Sequence, residues 1–396
     1  MADDPIVIVG MARTPMGSFQ GTLSAVPAAE LGSVAISAAL ERAGVSTDDV
    51  NEVIMGCVLQ AGQGQAPARQ ASIGAGIPNT VGATTINKMC GSGMKATMFG
   101  NDLIDAGSAG IVVSGGLESM TNAPYLLPKA RGGFRMGHGE VKDHMFLDGL
   151  EDAYDKGKLM GVFAENTAEK YQFTREQQDQ FAIRSLERGK KANEDGSFEA
   201  EMAPVTVKTR KGETVVDRDE QPFNAAIDKI PTLRPAFKKD GTVTAANSSS
   251  ISDGASALVL MRRSEAEKRG LTPLATIRAH ATNAHEPEWF TTAPVGAITK
   301  VLEKSGWSKD DVDLWEVNEA FAVVTMAAMK EHGLPAEKVN IHGGACAMGH
   351  PIGSSGSRII TTLIGGLQKH DLKRGVATLC IGGGEATAIA IERVAA

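Results

Sequence analysis

Short apolar runs alternate along the chain with longer stretches in which apolar residues recur at helical spacing. The runs Ile6 to Val9, Val53-Ile54-Met55, Ile111 to Glu118, Leu314 to Val317 and Ala377 onward read as strands. The stretches Met94 to Leu103, Arg175 to Asn193 and Ser357 to Leu367 read as helices. Alternation of this kind predicts mixed sheets covered by helices.

The pattern also repeats itself. Ala39-Leu40-Glu41-Arg42-Ala43-Gly44-Val45-Ser46-Thr47-Asp48-Asp49-Val50 matches Val301-Leu302-Glu303-Lys304-Ser305-Gly306-Trp307-Ser308-Lys309-Asp310-Asp311-Val312 at one constant offset. Ser92-Gly93 before one helix echoes Ser355-Gly356 before another, and the strand ending Gly115-Gly116-Leu117-Glu118 echoes the one ending Gly382-Gly383-Gly384-Glu385. Three matches in the same order predict a duplicated α/β half. Residues 1–120 with 248–272 form the first half and residues 273–396 the second. Residues 121–247 are richer in charge and turns and break the pattern, so they read as an insertion that carries binding function.

Composition removes several classes of function. The net charge of −7 argues against an electrostatic nucleic-acid binder. With 42% hydrophobic and 22% charged residues, the chain has ample material for a core and no compositional sign of disorder. No apolar run reaches membrane-helix length, the start lacks a secretory pattern, and the end lacks a peroxisomal tripeptide. Four cysteines without a Cys-x-x-Cys pair predict reduced thiols, no metal site and a cytoplasmic location.

Three glycine-rich turns carry candidate chemistry. Cys90, in Asn87-Lys88-Met89-Cys90-Gly91-Ser92-Gly93, lies just before a predicted helix, whose positive end would lower the thiol pKa. Free cysteines are also commonly small buried hydrophobes, so the turn alone leaves nucleophile and packing residue both open. His350 precedes Pro351, which fixes the local backbone and the place of the imidazole. The other seven histidines read as structural, with His342 the nearest competitor. Cys380 ends an apolar strand before three glycines whose amides are free to face a ligand, and it suits an acid/base role. Asn318, in Asn318-Glu319-Ala320-Phe321, could polarise a carbonyl or simply cap a turn. Cys57 and Cys346 read as packing residues.

Together with Arg13-Thr14-Pro15, these motifs make essentially the whole chain resemble the thiolases, and within them the acetyl-CoA C-acetyltransferases. The resemblance implies a five-layer αβαβα fold of two related domains with an inserted loop domain, assembled as a homotetramer (a dimer of dimers). It implies a reversible Claisen condensation of two acetyl-CoA to acetoacetyl-CoA and coenzyme A. Cys90 would carry the acetyl group, His350 would accept the thiol proton, and Cys380 would take the α-proton of the second acetyl-CoA. His350 with a water held by Asn318 would stabilise the enolate, and the amides of Cys90 and Gly382 the tetrahedral intermediate. A thioester α-proton is too weak an acid for a thiolate in water, so the enolate's donors must carry much of the catalysis.

By the same resemblance Leu150, Met160, Phe237, Ala245, Ala246, Ser249, Ala320 and Phe321 fall where the family contacts coenzyme A. No cofactor is required beyond the coenzyme A thioesters that enter and leave. Two departures stand out. Leu159 replaces a histidine that many short-chain members have, and Pro222 aligns roughly with an arginine near the nucleotide. A more apolar pocket would admit longer acyl groups, as in a broader-chain 3-ketoacyl-CoA thiolase. Among rivals, a decarboxylating ketosynthase would not need a second cysteine at 380. A nicotinamide-dependent dehydrogenase would need Gly-x-Gly-x-x-Gly after the first strand, where Gly10-Met11-Ala12-Arg13 stands. A non-catalytic binding protein would have no physical need for Cys90, Asn318, His350 and Cys380 together.

Overall fold

The apolar run near the start becomes strand Ile6–Arg13, with all eight residues buried, in a computed structural model that describes residues 4–210 and 212–394. The extreme termini used in the compartment reading lie outside the described residues. Nine strands follow one hydrogen-bonded path: Leu314–Val317, Arg374–Ile381, Glu385–Arg393, Ala275–Ala284, Ile6–Arg13, Ser252–Arg262, Ile111–Ser119, Glu52–Gly56 and Gly82–Ile86. The short strand Gly17–Ser18 adds to Ser252–Arg262. The halves join at a narrow seam, where Val7 pairs with Thr276 and Ile8 with Ala275.

Pairing on either side of that seam is the same. In each half an antiparallel run leads outward to a parallel pair, Ile111–Ser119 with Glu52–Gly56 and Arg374–Ile381 with Leu314–Val317. Helices Ala28–Ala43 and Ala293–Ser305 cover the outer faces, each ending at a left-handed glycine, Gly44 (φ 65°) and Gly306 (φ 70°). Glycine meets no steric penalty there, which explains why this part of the repeat is so legible.

Helices Ser92–Asp105 and Ser355–Lys369 form the central layer. Their apolar side chains pack against strands of both halves, including Ile54, Val112 and Leu260 from one and Ala377, Leu379 and Ile389 from the other. Ser355–Lys369 is buried on every side from Ser355 to Leu367, as a helix between two sheets must be. The layers therefore run helix, sheet, helix, sheet, helix.

The segment between the halves holds helices Met160–Tyr171 and Arg175–Glu194 and the hairpin Val205–Thr209 with Gly212–Val216. The second helix starts on a reciprocal cap between Thr174 and Gln177. Arg13 fastens this segment to the first half. Its fully buried guanidinium pairs with Asp219, 2.7 Å from Oδ1 and 3.0 Å from Oδ2, and its Nε with Glu201. Arg13 is thus an anchor between segments.

Candidate active site

After strand Gly82–Ile86 the chain doubles back so tightly that Met89 takes a left-handed φ of 47°. A non-glycine residue holds that conformation only where its surroundings enforce it. Ser92 does so here, accepting the Lys88 amide at 2.8 Å while its hydroxyl donates to the Met89 carbonyl at 2.6 Å. The turn presents Cys90. Gly91 leaves no space for a side chain, since a β-carbon would stand 2.3 Å from Ile381 Cδ1. The Cys90 turn is therefore pressed onto the end of the Cys380 strand.

Cys90 departs from the sequence expectation. Its thiol is pushed up to about 11, with burial the largest cause and Glu118 adding to it. The amides of Gly382 and of Cys90 itself pull in the other direction and lose. The helix begins two residues later at Ser92, so its positive end does not outweigh desolvation. A thiol in this setting needs a base to take its proton.

Cys380 has no exposed surface and lies among Phe163, Ala320, Phe321 and Val324. Burial drives its thiol well above the ordinary value, and Cys90 adds to the rise. The Gly382 amide, two residues on, lies near enough to the Cys90 sulfur to favour its ionised form. Two sulfurs from the two halves thus share one neighbourhood. Each becomes harder to ionise while the other is charged.

Asn318 follows Val317, which pairs with Thr378, so Asn318 and Cys380 sit at the carboxyl ends of adjacent parallel strands. That end of an α/β sheet is where ligands ordinarily bind. The Asn318 amide hydrogen bonds the Thr378 carbonyl at 3.0 Å, and its Oδ1 accepts from Arg358 Nη2 at 3.4 Å. An arginine can only donate, so the carboxamide oxygen must face it. Asn318 Nδ2 is then left as a buried donor with no partner among the described residues.

His350 is likewise buried, with its main chain held by the Ser250 carbonyl at 3.1 Å and Ser252 Oγ at 3.3 Å. Nδ1 meets Ser355 Oγ at 2.5 Å, and Nε2 has no partner among the described residues. Burial, helped by the Arg358 charge, lowers its pKa to about 3. The resting ring is neutral. The Cys90 turn packs against the turn that follows His350: Ile352 shares an apolar cluster with Cys90, and Gly93 abuts the Gly353 carbonyl.

The residues assigned to coenzyme A divide into groups. Met160, Phe237, Ala320 and Phe321 join the cluster around Cys380, with Phe237 and Phe321 edge to face at 6.1 Å. Met160 Sδ stands 3.4 Å from where a β-carbon on Gly382 would be. Ser249 donates its amide to the Ala320 carbonyl at 2.9 Å, Leu150 packs with the Cys90 cluster, and Ala246 packs near Met348. Ala245 is exposed and Leu159 half-buried. Pro222 is buried in the first turn of helix Gln221–Asn224.

Of the remaining candidates, His342 pairs with His370 instead of joining this site. Cys57 is buried beside Glu118, and Cys346 directs its thiol to the Glu319 carbonyl, so both are packing residues. Sequence reasoning missed Glu118, a buried carboxyl held up to about 7 by desolvation that gathers the amides of Val58, Leu59 and Gly353 around the site. It also missed Ser355 and Arg358. Their spacing, one helical turn apart directly after the His350 turn, was the available signal.

The chain matches the thiolase N-terminal domain over residues 6–264 and the thiolase C-terminal domain over residues 271–393. It is 49% identical to an acetyl-CoA acetyltransferase of Cupriavidus necator, covering 98% of this chain and 99% of that one. It is 53% identical to acetyl-CoA acetyltransferase 2 of Arabidopsis thaliana, covering 98% and 96%. The crystal structure of the Bacillus anthracis acetyl-CoA acetyltransferase superposes with a TM-score of 0.96 at 42% identity, covering 99% of both chains. A thiolase from Ascaris suum, solved in complex with coenzyme A, gives 0.93 at 42% identity, covering 98% of this chain and 100% of that one.

Proposed function

The chain belongs to the thiolase family, and from that premise we propose that it is an acetyl-CoA acetyltransferase, joining two acetyl-CoA into acetoacetyl-CoA and coenzyme A or running the reverse thiolysis. The observation that carries the reading is the Cys90 turn pressed onto the end of the Cys380 strand, which brings the two sulfurs into one neighbourhood.

The neutral His350 ring takes the Cys90 proton, and the sulfur attacks the thioester carbonyl carbon. Oxygen charge then develops, and the amides of Cys90 and Gly382, which already lean on the sulfur, stabilise it. Coenzyme A leaves as the thiol, taking its proton from Cys380. A second acetyl-CoA enters, the Cys380 thiolate removes its α-proton, and the enolate oxygen accepts from protonated His350 Nε2 and from a water on Asn318 Nδ2. Both are buried polar atoms without a partner among the described residues, which supports their pairing with substrate. The enolate carbon attacks the acetyl carbonyl, the Cys90–acyl bond breaks, and the released sulfur takes its proton back from His350 Nε2. Two covalent half-reactions imply ping-pong kinetics.

On this reading coenzyme A lies against Met160, Phe237, Ala320 and Phe321, with Leu150, Ala245, Ala246 and Ser249 along its length. It enters and leaves as substrate and product, and no resident cofactor is needed. A homotetramer fits the exposed Tyr125, Leu127, Phe134, Met136 and Val141, which cluster in one part of the inserted segment. We assign the enzyme to the cytoplasm; no helix among the described residues is long and apolar enough to cross a membrane. A broader chain-length range is favoured by Leu159, an apolar residue directly before Met160.

Incubation with acetyl-CoA followed by intact-mass measurement tests the reading. Wild type gains one acetyl group, Cys90→Ala gains none, and Cys380→Ala acetylates but fails to condense. Acetylation that survives Cys90→Ala removes the proposed nucleophile.

A further inference from the structure

We propose that Ser355 is a positioning residue for the reaction, holding His350 in the one tautomer whose Nε2 can receive the Cys90 proton. Ser355 Oγ stands 3.0 Å from the Pro351 carbonyl and 2.5 Å from His350 Nδ1. A hydroxyl has a single hydrogen, and a carbonyl can only accept. The structure directs that hydrogen to the Pro351 carbonyl, which also accepts the Ser354 and Ser355 amides. It is the usual bond of a serine in the first turn of a helix to the carbonyl four residues back. Oγ then offers only lone pairs to Nδ1, so Nδ1 must carry the ring hydrogen. In a neutral imidazole the other nitrogen is left with its lone pair.

That nitrogen is Nε2, buried and without a partner among the described residues. A ring turned to the other tautomer would present a hydrogen there and could accept nothing. The proton step balances as follows. The Cys90 S–H bond breaks and an N–H bond forms at Nε2. The sulfur electron pair bonds to the thioester carbonyl carbon, and the departing coenzyme A sulfur takes its proton from Cys380. His350 keeps that first proton on Nε2, where it donates to the enolate oxygen, and regains its starting tautomer when Cys90 is released.

The titratable and charged groups facing this pair are Arg358 on the same helix, Glu118 acting on Cys90, and Cys380 from the second half. With the imidazole at about 3 and the thiol at about 11, the thiol–imidazole state persists across the whole neutral range.

The proposal rests on Cys90 being the nucleophile, which the mass measurement decides separately. Rapid-mixing rates of Cys90 acetylation should be compared for wild type, Ser355→Ala and the near-isosteric Ser355→Cys, whose thiol is a poor acceptor. An internal base makes the wild-type rate flat between about pH 6 and about pH 9. Loss of the acceptor should slow acetylation about a hundredfold at pH 7 with an unchanged KM for acetyl-CoA. The remaining reaction then waits for thiolate formed by solvent, so its rate should climb about tenfold per pH unit. A merely structural disturbance would lower the rate without creating that slope. The proposal is overturned by variants within about threefold of wild type, by a slow variant with a flat profile, or by a wild-type rate that itself climbs with pH. The last criterion holds even where neither variant folds.

Discussion

Lys88, two residues before Cys90, is ion-paired with Glu385, five residues after Cys380. This contact ties the nucleophile's turn, from the first half, to the glycine turn of the second half. Both side chains keep about a quarter to a third of their surface in water, so the pair contributes about 1 kcal/mol or less. Lys88→Ala and Glu385→Ala should each lower kcat by about threefold to fivefold, which is the kinetic equivalent of that energy. The double variant should be no worse than either single one, and molar salt should narrow the gap to wild type. Additive losses in the double variant would show that the pair does not couple the two turns.

Arg13 presents the opposite electrostatic situation. Its guanidinium and the Glu201 and Asp219 carboxylates are fully buried, and removing the cation leaves two buried acids without their paired charge, with only the more distant Arg358 acting on both. Arg13→Ala should cost about 3–5 kcal/mol. Denaturant titration would register this as a lower midpoint at an unchanged slope. Arg13→Lys should recover little, because a point charge cannot span both Asp219 oxygens and still reach Glu201. A loss below about 1 kcal/mol for Arg13→Ala would mean that the inserted segment is held elsewhere.

The duplicated half was legible because its markers are backbone necessities: Gly44 and Gly306 are needed in left-handed caps, and strand and helix periods survive substitution on their surfaces. Cys90, Cys380, Asn318 and His350 were legible because each stands in a turn of unusual composition. The acidity of Cys90 was not. A helix end is visible in sequence, whereas burial by side chains distant in the chain is not, and here burial decides. Ser355 and Arg358 look like ordinary helix residues until the fold places one against His350 and the other against Asn318.

His342 gives the fold an acid sensitivity of calculable sign. Burial, with His370 close by at an Nε2–Nε2 distance of 3.1 Å, lowers its pKa to about 4. Asp195 opposes that shift, while Lys369 and Arg188 add to it. The unfolded chain protonates this residue near pH 6.5 and the folded chain only near pH 4, so between them the unfolded state binds more protons. The resulting stability is complete above about pH 6.5 and declines by about 1.4 kcal/mol per unit as pH falls toward 4. Other buried groups titrate in the same range, so the informative quantity is the difference between wild type and His342→Gln. Urea unfolding at several pH values should give a wild-type advantage that shrinks with acidification. A difference independent of pH would mean that His342 contributes packing alone.

Met160 bears on which acyl chains enter. Its sulfur stands 3.4 Å from the position of a β-carbon on Gly382, and half-buried Leu159 precedes it at the start of the same helix. The side chain therefore closes the apolar space next to the second sulfur, where the growing end of a 3-ketoacyl chain would have to lie. Replacing it with alanine opens room for further methylenes, each worth about 1–3 kcal/mol when a pocket can take it. Thiolysis of acetoacetyl-CoA and 3-ketohexanoyl-CoA, two methylenes apart, should be compared in both proteins. Met160→Ala should raise the relative kcat/KM for the longer substrate about tenfold or more. The gain should come chiefly from the longer substrate, because a short chain never reaches the vacated space. An unchanged ratio would place the selectivity wall elsewhere, and a fall for both substrates alike would mean that Met160 supports the Gly382 turn and not the acyl chain.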